Sequence, residues 1–163
     1  MMAEASDIRA PTGSAAWRPL LTVLFVTALA SCGGAPGNAE QQLRAWVDRG
    51  HEAAESKDRG TLVDMISPTY SDARGNSRED IENLFRFYFL RAGQVGLLVS
   101  IDDIMVYDDT AAQVMLTVAM GATSNSGPGF NADAYEFELD LEKSDGDWLL
   151  VSGRWSDVGN ELR

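Results

Sequence analysis

The chain has 163 residues with 25 acidic and 13 basic side chains, which gives a formal net charge of −12 at pH 7. This charge argues against nucleic acid as a partner, because phosphate binding needs a basic surface, and against a general attraction to anionic lipid head groups. There is one cysteine and one histidine. An intrachain disulfide is therefore excluded, and neither a metal site nor a cofactor is expected.

The first 31 residues have the order of a secretory signal. Arg9 and Arg18 precede an apolar run from Leu20 to Ala30, and small residues follow it. The run has about eleven residues, whereas a helix that spans a membrane needs about 20. An ordinary cleaved signal peptide that leaves Cys32 as a free thiol is the alternative, although a lone thiol is a liability in an oxidising compartment.

The four residues around the expected cleavage point, Leu29-Ala-Ser-Cys32, resemble the lipobox of bacterial lipoproteins. The resemblance implies that residues 1–31 are removed and that Cys32 carries a lipid which anchors the protein in a membrane. It also implies a place in the cell envelope, on the periplasmic face. Gly33 after the cysteine favours the outer membrane if the source is Gram-negative.

The remaining chain is the size of one ordinary domain. Residues 32–38 are expected to form a flexible tether, and residues 39–163 a single domain. Apolar residues recur at three- and four-residue spacing from about Ala39 to Lys57 and predict a first helix.

Two further helices follow. Asp58 is expected to cap a second helix that ends near Ile66, and Ser77 a third that ends at Gly93. The third helix carries an aromatic cluster, namely Phe85, Phe87, Tyr88 and Phe89.

From Gln94 onward the apolar period changes from about 3.6 to 2, which predicts four antiparallel strands. Asp102 and Asp103 interrupt the first strand and indicate a β-bulge. A long polar loop is expected from Gly121 to Asp133. In the third strand the apolar residues alternate with acids, which predicts a solvated face carrying Glu136, Glu138, Asp140 and Glu142.

Asp145 and Gly146 mark the turn of the last hairpin. A plain two-residue loop would place Trp155 beside Glu136 on the acidic face. An odd-length loop, with Gly146 in a bulge, is therefore expected. It would align the apolar face of the third strand with Leu149, Val151, Gly153 and Trp155.

Three helices and then four long strands predict an α+β domain in which a curved antiparallel sheet wraps its helices. The segment from Leu43 to Tyr70 and the ending Trp148-Leu-Leu-Val-Ser-Gly-Arg-Trp155 resemble the nuclear-transport-factor-like superfamily, also called SnoaL-like or ketosteroid-isomerase-like. The resemblance covers about Ala39 to Val158. It implies a cystatin-like cone with a pocket between sheet and helices, and homodimers through the sheet; members include isomerases, dehydratases, hydrolases and non-enzymatic binding domains.

No catalytic motif matches residue by residue, so no catalytic residue is assigned. The nearest analogues of the carboxylate and hydroxyl groups of a ketosteroid-isomerase-like site are Asp103, Asp72, Tyr70 and Tyr88. Each has a structural alternative, a bulge or rim for the aspartates and a packed ring for the tyrosines. His51 is expected to be a partly exposed structural histidine on the first helix.

The aromatic density predicts either a filled core or an apolar pocket. The expected pocket lining is Phe85, Tyr88, Phe89, Tyr107, Met115, Phe137 and Trp155. The leading hypothesis is an envelope lipoprotein whose domain binds an apolar small molecule or a partner protein without catalysis. The alternative is a small lyase or isomerase with a pocket carboxylate and tyrosine. A buried Asp103 would favour the enzyme, whereas a filled cone with Trp148 and Leu150 on the outer sheet face would favour a protein partner.

Overall fold

A computed structural model describes residues 36–124 and 130–162. The expected signal peptide and Cys32 lie outside these residues. The described elements belong to one compact unit, Cys32–Arg163. In chain order they are α1 (Pro36–Glu55), α2 (Arg59–Asp64), α3 (Arg78–Arg91), β1 (Ala92–Val106), β2 (Ala111–Ser124), β3 (Phe130–Ser144) and β4 (Asp147–Asp157). Within this part of the chain, no helix has both the length and the apolar composition needed to cross a membrane.

The four strands form one antiparallel sheet in the order β1-β2-β3-β4. Each strand pairs with the next one along the chain, and the helices pack on one face of the sheet, here called the inner face. The predicted α+β class, with three helices followed by a four-stranded antiparallel sheet, is confirmed.

Capping hydrogen bonds from side chains fix the first residues of α2 and α3. The Asp58 side chain accepts the Thr61 N–H at the start of α2, and Ser77 forms a reciprocal capping box with Asp80 at the start of α3. α1 begins at Pro36, so residues 36–38, expected in the tether, are helical; proline suits the first position of a helix because its N–H would have no partner there.

Two other boundaries differ from the prediction. α2 ends at Asp64 instead of near Ile66, and α3 passes directly into β1 at Ala92, so that Gly93 lies in the strand. The expected long loop from Gly121 to Asp133 is wrong, because Ala122 pairs with Asn131 and the two strands extend from both sides. Backbone pairing does not require apolar alternation, so polar residues can continue a strand.

The predicted bulge in β1 is confirmed. Ile101 pairs with Leu116 and Asp103 with Met115, which leaves Asp102 as the extra residue. The Thr117 hydroxyl donates to the Asp102 carboxylate at 2.7 Å on the neighbouring strand.

The last hairpin has a two-residue turn, not the expected odd-length loop. Ser144 pairs with Asp147, and both turn residues have positive φ, 52° at Asp145 and 96° at Gly146, as in a type I′ turn. The extra residue lies further along β4, at Val151, because Leu141 pairs with Leu150 and Asp140 with Ser152.

This bulge decides which residues of β4 face inward. Beyond it, Trp155 pairs with Phe137, and Arg154 joins Glu138 on the acidic outer face, as predicted. Before it, Leu149 pairs with Glu142 on the outer face, so its expected inward position is wrong. Val151, the bulge residue, is not aligned with the apolar face either.

The buried core lies at the end of the domain where α1 begins. Leu43 and Val114 are fully buried, and Leu141 is 1% exposed. Trp148 is 4% exposed, and its indole N–H donates to the Gln42 side chain at 3.2 Å. Trp148 is therefore inside the domain, and the exposed position considered for it in the sequence analysis is wrong.

The segment after α2 covers the free edge of β4. The Leu150 N–H donates to the Met65 carbonyl, while the Ser67 and Ser71 N–H groups donate to the carbonyls of Leu150 and Val151, at distances of 2.9 to 3.1 Å. These bonds satisfy backbone groups that would otherwise form an open edge. They also fix Tyr70, on the same segment, against the sheet.

Candidate ligand-binding cavity

An apolar cavity of about 1220 Å³ lies between the helices and the inner face of the sheet. The second half of α1 forms one wall, α3 forms another, and all four strands contribute to the floor. The walls are mainly aliphatic and aromatic side chains. The domain is therefore a cone that leaves internal space, and the filled-core alternative is wrong.

Five of the seven predicted lining residues lie on this cavity: Phe85, Tyr88, Phe89, Phe137 and Trp155. The other two do not. Met115 pairs with Asp103 and Glu138, which places it on the outer face, and Tyr107 is 62% exposed at the far end of β1. Leu150, considered earlier for the outer face, lines the cavity.

Two polar atoms on α1 are buried at this cavity without a hydrogen bond among the described residues, the indole Nε1 of Trp46 and Nε2 of His51, although the second has an ion-pair contact with Glu55 at 3.5 Å. Most buried polar atoms in native proteins have a partner, so each such atom requires an explanation. Trp46 was not among the predicted site residues. The expected partial exposure of His51 is confirmed, because its side chain is 32% exposed. Helical spacing identifies a buried side of α1, but it does not show that this side faces an open space.

His51 and Glu55 form a pair one helical turn apart. The His51 Nε2 lies 3.5 Å from a Glu55 carboxylate oxygen, and that oxygen accepts the Leu97 N–H at 2.8 Å. The Leu97 hydrogen bond, together with the nearby imidazole, holds the pKa of Glu55 below its usual range. The carboxylate thereby fixes the end of α1 to β1 and lies beside the imidazole.

Tyr70 and Asp72 are next to each other, but they serve the loop before α3. Tyr70 is 5% exposed. Its burial, and to a smaller extent the charge of Asp72, raise the pKa of its phenol. The Asp72 carboxylate accepts the N–H groups of Arg74 and Asn76 and the Asn76 side-chain amide at 2.7 to 2.9 Å. Tyr70 lines the cavity, whereas the Asp72 oxygens are engaged within the loop.

Asp103 does not meet any of the tyrosines. Its side chain is exposed and accepts the N–H of Ile104 at 2.9 Å beside the bulge, in agreement with the structural alternative for this aspartate. Of the predicted carboxylates and tyrosines, Tyr70 and Asp72 come together, and the Asp72 oxygens are engaged within the loop before α3.

The mouth of the cavity carries the remaining polar groups. Burial raises the pKa values of Tyr88 and Tyr135, and the charge of Asp133 contributes a smaller increase. The Arg74 guanidinium lies 4.3 Å from the centre of the Trp155 ring and donates to the Trp155 carbonyl at 3.0 Å. Among the described residues there is no group of three or more His, Cys, Asp or Glu side chains that could hold a metal ion.

No family model and no curated protein matches the chain. Solved structures do. A nuclear transport factor 2-like superfamily protein from Salmonella enterica serovar Typhimurium is 18% identical, with a TM-score of 0.64, over 78% of this chain and 99% of that one. The chain has the nuclear transport factor 2-like fold.

Other structures of this NTF2-like fold match to a similar degree. A ketosteroid isomerase-like protein from Erwinia carotovora atroseptica is 13% identical with a TM-score of 0.62, over 74% of this chain and 96% of that one. A putative dehydratase of the NTF2-like family from Streptomyces avermitilis is 13% identical with a TM-score of 0.66, over 77% and 100%. At these identities the likeness establishes the fold alone, and the role of the cavity has to be argued from its own residues.

Proposed function

We propose that the protein is an envelope lipoprotein, anchored through a lipid on Cys32, whose NTF2-like domain binds a largely apolar small molecule in the cavity. The outer membrane is the proposed location if the source is Gram-negative. The cavity has a volume of about 1220 Å³, whereas ligand pockets usually have about 300 to 1,000 Å³. It is therefore large enough for a small molecule. Its apolar and aromatic walls suit a ligand with a hydrophobic body.

The observation that carries this proposal is the buried indole Nε1 of Trp46, which has no hydrogen-bond partner among the described residues, in a cavity that His51 also lines. The Trp46 N–H can only donate, whereas a neutral imidazole nitrogen can donate or accept. A carbonyl or hydroxyl oxygen on a bound molecule would give the indole its acceptor. We therefore propose a ligand with an apolar body and at least one neutral oxygen.

A small molecule is favoured over a partner protein by the positions of Trp148 and Leu150. On the outer face of the sheet they would have provided an apolar docking surface, but Trp148 is buried and Leu150 lines the cavity. The outer face instead carries the acids of β3, of which Glu138 pairs with Arg154. A homodimer through the sheet remains part of the proposal, because this network can pair with a second polar face.

The first test uses the chain from Cys32 to Arg163 with Cys32→Ser, produced in secreted form. Native mass spectrometry is expected to show a co-purified apolar molecule, and the same spectrum reports monomer or dimer. The neutral fluorescent probe N-phenyl-1-naphthylamine is then titrated into the delipidated protein. Ala54→Phe, which fills cavity space from α1, is expected to weaken probe binding about tenfold or more.

The matched control is Ala45→Phe, which adds the same side chain to the solvent-exposed side of the same helix. This variant is expected to bind the probe like the parent protein. Equal probe binding in the parent and Ala54→Phe proteins would show that the probe binds elsewhere and would contradict the assignment of the cavity.

The position of His51 favours a second candidate function, that of a small lyase or isomerase. His51 lines the apolar cavity, and the Glu55 carboxylate lies 3.5 Å from its Nε2. If Glu55 orients the ring through Nε2, Nδ1 is the nitrogen that would act as the general base. Among the structural neighbours are a ketosteroid isomerase-like protein and a putative dehydratase. Here His51 would take a proton next to a carbonyl of the ligand, and Tyr88 or Tyr135 at the mouth would donate to the oxygen.

This candidate is tested with the molecule identified by mass spectrometry. Incubation in deuterium oxide is expected to give deuterium uptake or a changed product mass if the site transfers protons. His51→Gln should abolish that change while probe binding persists. Binding without deuterium uptake or product would leave the domain as a binding protein.

A further inference from the structure

Helix α3 differs from the other helices because none of its residues is buried. Phe85 and Phe89 cover the cavity. Phe87, at the edge of the cavity, is 55% exposed, and Leu90, which does not line the cavity, is 71% exposed. At about 100° per residue these two side chains are about 60° apart and share one outward stripe.

Two arginines flank this stripe. Arg86 and Arg91 lie on either side of Phe87 and Leu90, and the Arg91 guanidinium is 4.0 Å from the centre of the Phe87 ring. No acidic residue occurs between Asn83 and Arg91. None of the ion pairs between described residues includes Arg86 or Arg91, and the same holds for Arg49 and Arg74.

We propose that this outer face of α3, formed by Arg86, Phe87, Leu90 and Arg91, docks on the surface of an anionic lipid bilayer. Helices that lie in the membrane interface typically combine exposed aromatic and leucine side chains with flanking arginines, as this face does. The apolar side chains enter the head-group boundary, and the guanidinium groups contact lipid phosphates. The charge complementarity is local, since the chain as a whole is acidic.

Docking through this face would place the cavity next to the bilayer. Phe85 and Phe89, on the other side of the same helix, would then lie one helix diameter, about 10 Å, from the lipid surface. An apolar molecule dissolved in the membrane could pass around α3 into the cavity.

The test uses the Cys32→Ser chain from Cys32 to Arg163, so that no lipid anchor contributes. Cosedimentation is measured with vesicles of phosphatidylcholine alone and of phosphatidylcholine with about 25% phosphatidylglycerol. We expect about tenfold or stronger binding to the anionic vesicles, lost on raising the salt concentration. Phe87→Ser with Leu90→Ser should reduce binding to the anionic vesicles about tenfold or more. Arg86→Gln with Arg91→Gln should remove the preference for anionic lipid.

The matched control is Leu98→Ser. Leu98 is 77% exposed on the outer face of β1, away from α3, and its loss should leave vesicle binding unchanged. Far-UV circular dichroism shows that each variant is folded, and retained probe binding in the Arg86→Gln with Arg91→Gln protein reports ligand binding separately from docking. The proposal is overturned if neither vesicle type binds, if Leu98→Ser reduces binding as much as the α3 variants, or if the α3 variants instead dissociate a dimer.

Discussion

Replacing Asp72 with alanine is expected to destabilise the domain by about 3 to 4 kcal/mol. The carboxylate is 7% exposed and accepts three hydrogen bonds of 2.7 to 2.9 Å from Arg74 and Asn76. A hydrogen bond to a charged group contributes about 1.5 to 3 kcal/mol, and water can replace part of this total because the loop is near the surface. For a domain of this size the loss corresponds to a decrease in Tm of about 15 °C.

The measurement is equilibrium unfolding in urea, followed by circular dichroism. Asp72→Asn is the matched control, because its amide oxygen can still accept the two backbone N–H groups, and it should lose about 1 kcal/mol. Probe binding should persist in Asp72→Asn, since Asp72 does not line the cavity. The structural assignment would be refuted if Asp72→Ala unfolded within 1 kcal/mol of the parent protein. It would also be refuted if Asp72→Asn kept full stability but lost an enzymatic turnover.

Three further outcomes are expected. Hydrogen bonds from Ser77 lower the pKa of Asp80, so this carboxylate stabilises the fold above about pH 4 and loses its effect as the pH falls through its folded pKa. Unfolding curves of the parent and Asp80→Asn proteins should therefore differ at pH 7 and converge near pH 2. Burial raises the pKa of Tyr70, so stability should fall as the pH rises above about 10, and Tyr70→Phe should reduce that loss in unfolding measured between pH 8 and 11. In cells, Cys32→Ser should abolish fatty-acid labelling, and labelling that persisted would contradict the lipid anchor.

Much of the fold could be predicted because its signals are local. Asp58 and Ser77 cap helices through side-chain bonds to backbone groups two or three residues away, and such bonds depend only on the adjacent sequence. The paired aspartates in β1 marked the bulge for the same reason. The period of apolar residues then identified which side of each long element faces inward.

The register of the last hairpin depended on distant contacts and could not be predicted from its turn. Asp145 and Gly146 suit a two-residue turn, but the mixed faces then required an extra residue somewhere. The structure places it at Val151, where the carbonyls of Leu150 and Val151 accept bonds from the segment after α2. Trp148 is also held from a distance, by Gln42 on α1. No pattern within β4 contains that information.

Whether the cone is filled could not be predicted either. The apolar side of α3 showed which residues face the sheet, but a face that touches other side chains and a face that borders a cavity have the same periodicity. The importance of His51 depended on the same distinction. Its sequence neighbours do not show that the imidazole, beside the Glu55 carboxylate, borders an open space.

The structure separates stability from binding along a single helix. The first half of α1, with Ala39 and Leu43, belongs to the buried core with Val114 and Leu141, and the second half lines the cavity. No residue of α3 belongs to that core. The core can therefore keep the sheet and α1 together while α3 remains a thin wall with few buried contacts. Elements with few buried contacts open at the lowest free energy, so α3 is the wall of the cavity that we expect to open most readily.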